Sequence, residues 1–321
     1  MSEILTMPKI DLHCHLDGSM TLENICQQLG RNVQMSELQV ENDCKSLAEY
    51  LQKFDLPLQC LQTPEGLRES AKEFLLNLKN DNVQYAEVRF APQLSTMQGM
   101  NCGRVMEEVL EGLKEAEAQC GIHSGVIACM MRHHEEETNL QMLKECREFL
   151  GEGLCAVDLA GDEAGFPTKN FYELFERAKR LDYPFTIHAG ECGDVNSILH
   201  AVEFGAKRIG HGIAMRGNAE VQKLLAQKHI GVEMCPISNY QTKALLPAEI
   251  YPIREFDKAG VLVTVNTDNR TVSNTDLRKE MTFLQERFGV SEEEFRKYQL
   301  NAVEVAFCKD DMKHKLWKLV K

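Results

Sequence analysis

The stretch Ile10-Asp11-Leu12-His13-Cys14-His15-Leu16-Asp17-Gly18 places two histidines two residues apart inside an apolar segment. In a β-strand, residues i and i+2 point to the same face, so His13 and His15 can converge on one point while Cys14 faces away. Neutral imidazoles are common metal ligands. A His-x-His pair alone is a weak signal, so the metal hypothesis depends on whether the rest of the chain supplies further ligands.

The sequence after this stretch predicts alternating strands and helices. Short apolar or β-branched runs recur along the chain, and amphipathic helical patterns separate them. The eight predicted strands are 9–16, 83–90, 124–131, 154–159, 185–188, 208–213, 230–234 and 261–265. This alternation predicts an α/β fold with a parallel sheet, and eight units in 321 residues predict a closed, single-domain TIM (β/α)8 barrel. A doubly wound open sheet is the alternative, but the sequence lacks a glycine-rich phosphate turn after the first strand.

Helical patterns also fill the parts of the chain outside the barrel units. A long excursion after the first strand, about residues 20–80, has a helical pattern with no convincing strand, and it is the natural candidate for a lid. Asn218 and Ser291 are predicted to cap helices, and extra C-terminal helices follow, the last around 302–319. No linker rich in proline, glycine or serine divides the chain, so we predict one domain over residues 1–321.

Composition and charge restrict the classes of partner. The formal net charge of -13, with no basic block, argues against a nucleic-acid partner and suits a neutral or cationic small molecule. The segment before Lys9 has no apolar core of a secretory signal, and no run approaches the roughly 18 apolar residues of a membrane span. Twelve scattered cysteines indicate reduced thiols in the cytoplasm. The sequence leaves the oligomeric state open.

Chemically active side chains cluster where the predicted strands end. In a TIM barrel the catalytic groups lie at the C-terminal ends of the strands, which form one rim. The polar groups at these ends are His13, His15, Asp17, Asp158, Asp162, Glu163, His188, Glu191, His211, Glu233, Asp268 and Asn269. Scattered structural histidines would not favour these positions, so their placement strengthens the metal hypothesis.

Four of these side chains can surround one metal ion. Strands 1 and 8 are neighbours in a closed barrel and strand 5 lies across from them, so His13, His15, His188 and Asp268 can converge at the mouth. Three imidazoles and a carboxylate suit Zn2+, whereas Mg2+ or Ca2+ would require mostly oxygen ligands. Only one set of ligands is visible, and no lysine follows strand 4 to bridge a second metal. We therefore expect one Zn2+ per chain.

The motifs together resemble those of the adenosine deaminase family of zinc-dependent amidohydrolases. The matching pieces are Asp11–Gly18, Asp158–Glu163, His188–Glu191, Gly210–Gly212, Cys235–Asn239 and Asn266–Asp268, which spread across nearly the whole chain. The resemblance implies a TIM barrel with one Zn2+ bound by His13, His15, His188 and Asp268. It also implies hydrolysis of adenosine or deoxyadenosine, a purine nucleoside, to inosine or deoxyinosine and ammonia.

The resemblance further implies roles for the other rim residues. Glu191 would donate a proton to the purine ring, and His211 would act beside the attacking water. Asp17 would contact the ribose 5'-hydroxyl, and Gly161 would contact ring N3 through its backbone. His15 is expected to line the substrate site as well as to bind metal.

One departure from the family pattern concerns the residue after the last ligand. Family members often have a second aspartate there, followed by proline, whereas this chain has Asp268-Asn269-Arg270. The amide of Asn269 can still donate a hydrogen bond to ring N7, but it carries no charge. This difference affects the detailed contact with the purine and leaves the metal ligands intact.

The residues themselves suggest how acid–base chemistry could be divided. Glu191 lies three residues after His188, so it stays at the mouth but is angled away from the metal, where it could protonate N1 of a purine. That role requires a carboxyl that keeps its proton near neutral pH, and burial would raise its pKa in this direction. Asp268 or His211 could accept a proton from water.

Two other functions remain open on the sequence alone. An adenine or modified-aminopurine deaminase could use the same site, although Asp17 favours a substrate with a ribose hydroxyl. A catalytically inactive binding protein on the same scaffold is the second alternative. The complete ligand set together with Glu191 argues against it.

Overall fold

The computed structural model describes residues 3–41, 44, 46–192 and 194–321, and all eight predicted strands are present in it. Their bounds lie within two residues of the predicted ones. The strands are β1 (Lys9–His15), β2 (Val83–Phe90), β3 (His123–Met131), β4 (Leu154–Ala160), β5 (Thr186–Ala189), β6 (Arg208–His211), β7 (Gly231–Met234) and β8 (Leu262–Val265).

Hydrogen bonds between the first and the last strand close these strands into a barrel. β1 to β4 pair as parallel neighbours in chain order, and β5 to β8 do the same. His15 N donates to Asp268 O at 2.7 Å and Asp268 N donates to His13 O at 2.8 Å, which joins β1 to the residues after β8. A bridge between Val157 and Phe185 joins the two groups on the other side. The predicted TIM barrel is therefore confirmed, and the open-sheet alternative is wrong.

Helices cover the outside of the barrel, as expected for a parallel sheet buried on both faces. The helices of the described residues are α1 (Glu3–Thr6), α2 (Leu22–Leu29), α3 (Met35–Leu38), α4 (Leu47–Leu51), α5 (Asp55–Cys60), α6 (Pro64–Asn77), α7 (Cys102–Cys120), α8 (Glu136–Cys146), α9 (Tyr172–Arg180), α10 (Val195–Phe204), α11 (Ala219–Gln227), α12 (Pro236–Gln241), α13 (Ile253–Lys258), α14 (Leu277–Phe288), α15 (Glu292–Val305) and α16 (Asp310–Val320).

The predicted excursion after the first strand is helical. It comprises α2 to α6, and none of its described residues forms a strand; positions 42, 43 and 45 of the excursion lie outside the described residues. The predicted caps are also confirmed, because the Asn218 side chain accepts a hydrogen bond from Val221 N and the Ser291 side chain accepts one from Glu294 N.

The prediction of one continuous last helix over 302–319 is wrong. α15 ends at Val305 and α16 begins at Asp310. Between them, Phe307 N donates a 2.6 Å hydrogen bond to Glu87 Oε1 inside the barrel. This contact with a distant strand replaces the helical hydrogen bond that local propensity would favour.

Two further observations concern the chain as a whole. All twelve cysteines lie within the described residues, and none forms a disulfide. Among the described helices, none combines the length and the apolar character that crossing a membrane would require.

Candidate active site and metal centre

The four predicted ligands lie together at the C-terminal rim of the barrel. His15 Nε2 is 3.3 Å from His188 Nε2 and 3.4 Å from Asp268 Oδ1. His13 Nε2 is 3.4 Å from the same Asp268 oxygen. His13 Nε2 is also buried and makes no hydrogen bond to any residue of the described ranges. Three imidazole nitrogens and one carboxylate oxygen facing a common point fit the donor set that Zn2+ takes in proteins.

A fifth donor, from His211, reaches the same place. One ligand atom each from His13, His188, His211 and Asp268 lies within 4.8 Å of the others. The distances therefore leave His15 and His211 as competing members of the ligand set. The group that faces the far nitrogen of His211 differs from those that face His13 and His188, and it argues against His211 as a ligand.

Carboxylates face the far nitrogens of two imidazoles. His13 Nδ1 lies 2.8 Å from Glu233 Oε2, and His188 Nδ1 lies 2.7 Å from Asp158 Oδ2. A carboxylate only accepts hydrogen bonds, so these partners favour a proton on each Nδ1 and leave each Nε2 lone pair free for a metal. Although burial acts to raise it, Arg89 and Arg208 hold the pKa of Glu233 well below its usual range.

An amide faces the far nitrogen of His211 instead. Tyr251 Oη donates to Asn239 Oδ1 at 2.9 Å, so the amide nitrogen of Asn239 points to His211 Nδ1 at 3.0 Å. Burial lowers the pKa of His211 well below its usual range, so its ring is neutral. A neutral ring that accepts at Nδ1 carries its proton on Nε2, which makes that atom a donor and not a metal ligand.

Both His211 and Asp268 have a strained backbone. Their φ angles are 64° and 59°, in the left-handed region that residues other than glycine rarely adopt. Such conformations persist where surrounding contacts hold them, and they concentrate at functional sites. Here the Asp268 side chain is held by Ser238, whose Oγ donates to Asp268 Oδ2 at 2.5 Å. Although burial acts to raise it, the imidazoles of His13, His211 and His15 hold the pKa of Asp268 well below its usual range.

Glu191 lies beside this cluster in a buried position. Its Oε2 is 3.7 Å from His211 Nε2, and its backbone N–H donates to Glu163 Oε2 at 2.9 Å. Glu163 also accepts from the backbone N–H groups of Gly190 and Cys192, so it fixes the turn that carries Glu191. Burial, with added repulsion from Asp268 and Glu163, raises the pKa of Glu191 to about 8. This carboxyl can therefore hold a proton at neutral pH.

The site opens into a cavity of about 460 Å³, within the usual range for small-molecule pockets. The predicted substrate residues Asp17, Gly161 and Asn269 all line it, together with His15 and Glu191. None of the described lining residues is a lysine or an arginine. Burial raises the pKa of Asp17 to about 7.

The helical excursion forms part of the cavity wall. Leu47, Tyr50, Leu51, Phe54 and Leu58 belong to its α4 and α5 region and line the cavity. The excursion therefore borders the cavity, and its action as a lid stays a prediction.

Comparison with known proteins decides the family. The sequence model of the adenosine deaminase family matches residues 8–321. An adenosine deaminase of Clostridium botulinum (strain Okra / Type B1) is 41% identical over 327 aligned residues, covering 98% of this chain and 97% of the relative. The chain belongs to the adenosine deaminase family. It is therefore a hydrolytic deaminase, and the resemblance inferred from its motifs is confirmed.

Solved structures agree on the fold of this adenosine deaminase family member. An amidohydrolase from Burkholderia ambifaria with bound Zn has a TM-score of 0.89 at 20% identity, covering 99% of this chain and 90% of that one. The N6-mAMP deaminase of arabidopsis has a TM-score of 0.88 at 25% identity, covering 100% of this chain and 99% of that one.

Sequence reasoning missed the ionic contacts that hold the deaminase's imidazoles. Asp158 and Glu233 were noticed as strand-end carboxylates without a function, and Arg89 was not noticed at all. Each lies in a strand that is buried on both faces, where a charged residue requires a partner. A charged residue in a strand that is predicted to be buried on both faces therefore indicates an ion pair in the interior.

Proposed function

We propose that this protein is a zinc-dependent deaminase that converts adenosine and deoxyadenosine to inosine and deoxyinosine with release of ammonia. The observation that carries the proposal is the convergence of His13, His15, His188 and Asp268 on one point, beside a buried Glu191 that lines the cavity. The similarity to the adenosine deaminase of Clostridium botulinum supports the reaction. The bound Zn of the Burkholderia ambifaria fold neighbour supports the choice of metal.

The metal ligands in this proposal are the Nε2 atoms of His13, His15 and His188, together with Asp268 Oδ1. When bound there, one zinc ion per chain would lower the pKa of a coordinated water and so favour hydroxide at neutral pH. A hydrogen bond between Nδ1 and Glu233 orients His13, and a 2.7 Å contact between Nδ1 and Asp158 orients His188.

Asp268 would accept a proton from the attacking water, and His211 would donate a hydrogen bond to its oxygen. Asp268 Oδ2 faces Ser238 and Oδ1 faces the ligands, so this ionised carboxylate accepts the proton of the water. His211 carries its proton on Nε2 and therefore donates a hydrogen bond that aligns the oxygen with C6 of the purine. Of the two proton acceptors that the sequence left open, Asp268 and His211, we therefore propose Asp268.

Glu191 would supply the proton that the purine ring requires. As the water oxygen bonds to C6, electron density moves to N1, and the protonated Glu191 carboxyl donates its proton there. The proton that Asp268 took from the water then passes to the 6-amino group, which leaves the tetrahedral carbon as ammonia. The hydroxyl on C6 becomes the carbonyl of the product, and its proton restores the Glu191 carboxyl. Burial keeps the donor protonated at neutral pH by raising its pKa to about 8.

The other cavity residues would select the substrate. Asp17 would accept a hydrogen bond from the ribose 5'-hydroxyl, the Gly161 N–H would donate to N3, and the Asn269 amide would donate to N7. The described lining residues include the carboxylates Asp17, Asp55 and Asp162 and no cationic side chain. A 5'-phosphate would meet repulsion there, so the cavity favours a nucleoside over a nucleotide such as the one named for the arabidopsis neighbour.

The setting of the reaction is part of the proposal. The net charge of -13 supports a small-molecule substrate and no nucleic acid, and the twelve unpaired cysteines support a reducing compartment such as the cytoplasm.

A substrate panel tests the proposal. Zinc-loaded protein would be mixed separately with adenosine, deoxyadenosine, adenine, AMP and N6-methyl-AMP, and purine absorbance and ammonia would be followed. We expect fast turnover of the two nucleosides and much slower turnover of the others. Asp17→Asn should reduce kcat/KM for adenosine and leave that for adenine nearly unchanged. Faster turnover of adenine than of adenosine would support the aminopurine alternative, and no reaction with any compound would support the binding protein.

A further inference from the structure

A buried arginine links the two carboxylates that hold the metal-facing histidines. Arg89 Nη1 donates to Asp158 Oδ2 at 2.9 Å, and its Nη2 donates to Glu233 Oε2 at 2.9 Å. The same two oxygens lie 2.7 Å from His188 Nδ1 and 2.8 Å from His13 Nδ1. One guanidinium thus stands behind two imidazoles that come from different parts of the chain.

The planar shape of the guanidinium makes this arrangement possible. Its donors lie in one rigid plane and point in different directions, so a single side chain can reach two carboxylates at once. Arg89 Nη2 also donates to the backbone oxygen of Leu12 at 2.6 Å, which ties β2 to β1 next to His13. A lysine at this position also has three donors, but its single compact ammonium could not reach acceptors that are spread over two guanidinium nitrogens.

The charges of this buried cluster also match a divalent cation. Arg208 pairs with Glu233 at 2.5 Å and with Glu87 at 2.6 Å, and every member is completely buried. The three carboxylates and two guanidiniums leave one negative charge, and Asp268 adds a second. Buried charge without compensation is costly, so a doubly positive ion at the mouth balances the cluster.

We propose that Arg89 is a positioning residue that fixes the orientation of His13 and His188 together, through Glu233 and Asp158. It does not touch the substrate or the metal. Its effect is to hold both carboxylates in place, so that the Nε2 atoms of both imidazoles face the same point. The inference rests on the proposed function only in requiring that the protein binds a divalent metal.

The chain offers a matched control for Arg89. Arg208 is an equally buried arginine that also pairs with Glu233, but it has no contact with Asp158 among the described interactions. Arg89→Lys should therefore disturb the orientation of both His13 and His188. Arg208→Lys should disturb only that of His13, through Glu233.

The test measures metal binding in the full-length chain. The dissociation constant for Zn2+ would be determined by competition with a chromophoric chelator, and the Co2+-loaded proteins would be compared by visible absorption. We expect Arg89→Lys to weaken Zn2+ binding by about 10- to 100-fold and to change the Co2+ spectrum. Arg208→Lys should weaken binding by a smaller factor. Circular dichroism and melting temperature would establish that each variant is folded.

A wild-type Zn2+ constant and Co2+ spectrum in folded Arg89→Lys would overturn the proposal, even if the melting temperature fell. If Arg89→Lys does not fold, Asp158→Asn and Glu233→Gln form a double-mutant cycle that needs no change at Arg89. Coupling through Arg89 predicts that their effects on Zn2+ affinity are not additive, and additive effects would refute it. Absence of metal binding in the wild-type protein would refute the proposed function instead.

Discussion

At the scale of single residues, the group that faces Nδ1 of His13, His188 and His211 decides the role of each ring. His13 and His188 face carboxylates and present free Nε2 lone pairs, whereas His211 faces the amide of Asn239 and presents an N–H. Distance alone would not separate these rings, because donors of all three lie within 4.8 Å of one another. The group that faces Nδ1 is therefore what distinguishes a metal ligand from a hydrogen-bond donor among these three rings.

This difference predicts opposite outcomes for two alanine variants. His188→Ala should lose Zn2+ during dialysis, because it removes a ligand. His211→Ala should keep one Zn2+ per chain and lose about 10²- to 10³-fold in kcat, as is typical when a donor aimed at the reacting oxygen is removed. Metal content by atomic absorption and kcat with adenosine would be measured on the same samples. Loss of zinc from His211→Ala with full retention in His188→Ala would reverse the assignment.

The raised pKa of Glu191 predicts a pH dependence. An acid with a raised pKa keeps its proton at neutral pH and loses it as the pH rises through that pKa, which is about 8 here. A bound divalent cation acts in the opposite direction and moves the transition to lower pH. The kcat/KM for adenosine should therefore fall with rising pH, with a midpoint at or below about 8.

The control for this pH profile is Glu191→Gln, which has no proton to lose. Its residual activity should lack the basic limb. A basic limb with the same midpoint in Glu191→Gln would assign the titration to another group.

The sequence was sufficient to locate the proposed ligands but not their supports. His13, His188 and Asp268 lie near or just after the ends of strands, and all strands of a TIM barrel end at one rim, so their proximity follows from the fold. Arg89 and Glu233 also lie near strand ends, but their pairing depends on which side chains meet across the barrel interior. That depends on barrel register, which strand patterns alone do not determine.

At the scale of elements, the helical excursion is attached to the loop that follows β8. Tyr50, on α4, is buried, and its Oη lies 2.6 Å from Ser273 Oγ. Val40 N also donates to Val272 O at 3.0 Å. The same loop contains Asp268 and Asn269, so the position of the excursion is coupled to two residues of the site.

Removal of the Tyr50 hydroxyl should weaken this attachment. Tyr50→Phe keeps the ring and loses a buried hydrogen bond, which is usually worth about 1 kcal/mol. If the excursion acts as a lid, the KM for adenosine should rise by about five- to tenfold while zinc content stays at wild-type level. Steady-state kinetics and limited proteolysis within the excursion would measure this. An unchanged KM with unchanged protease resistance would show that the hydroxyl does not hold the lid.

The break between α15 and α16 shows why one element was predicted wrongly. Residues 306–309 contain neither proline nor glycine, so nothing local stops a helix there. The break arises because Phe307 N donates to Glu87 and the Phe307 ring lies 4.0 Å from the Arg208 guanidinium. Contacts with residues about a hundred or more positions away are invisible to a local pattern.

At the scale of the molecule, a chain of buried charges runs through the barrel interior. It passes from His13 through Glu233 and Arg208 to Glu87, which binds the link between the last two helices. The candidate metal site and the C-terminal segment are therefore linked through one network of buried ion pairs. On this basis we propose that residues 1–321 form a single domain.

A single domain should unfold in a single transition. Calorimetry and circular dichroism should give one coincident melting transition for the zinc-loaded protein. Removal of Zn2+ by a chelator should move the whole transition to lower temperature, because a ligand that binds only the folded state stabilises it by mass action. Two separate transitions, only one of them sensitive to the chelator, would contradict the single domain.

The central claim is that a metal held by His13, His15, His188 and Asp268 works together with a protonated Glu191. The most direct measurement is the turnover of adenosine by zinc-loaded wild-type protein and by Glu191→Gln, with zinc content determined for both. We expect one Zn2+ per chain in both proteins, ammonia released in equal amount to inosine by the wild type, and a kcat about 10²- to 10⁴-fold lower in the variant. Near-wild-type kcat in fully zinc-loaded Glu191→Gln would contradict the account.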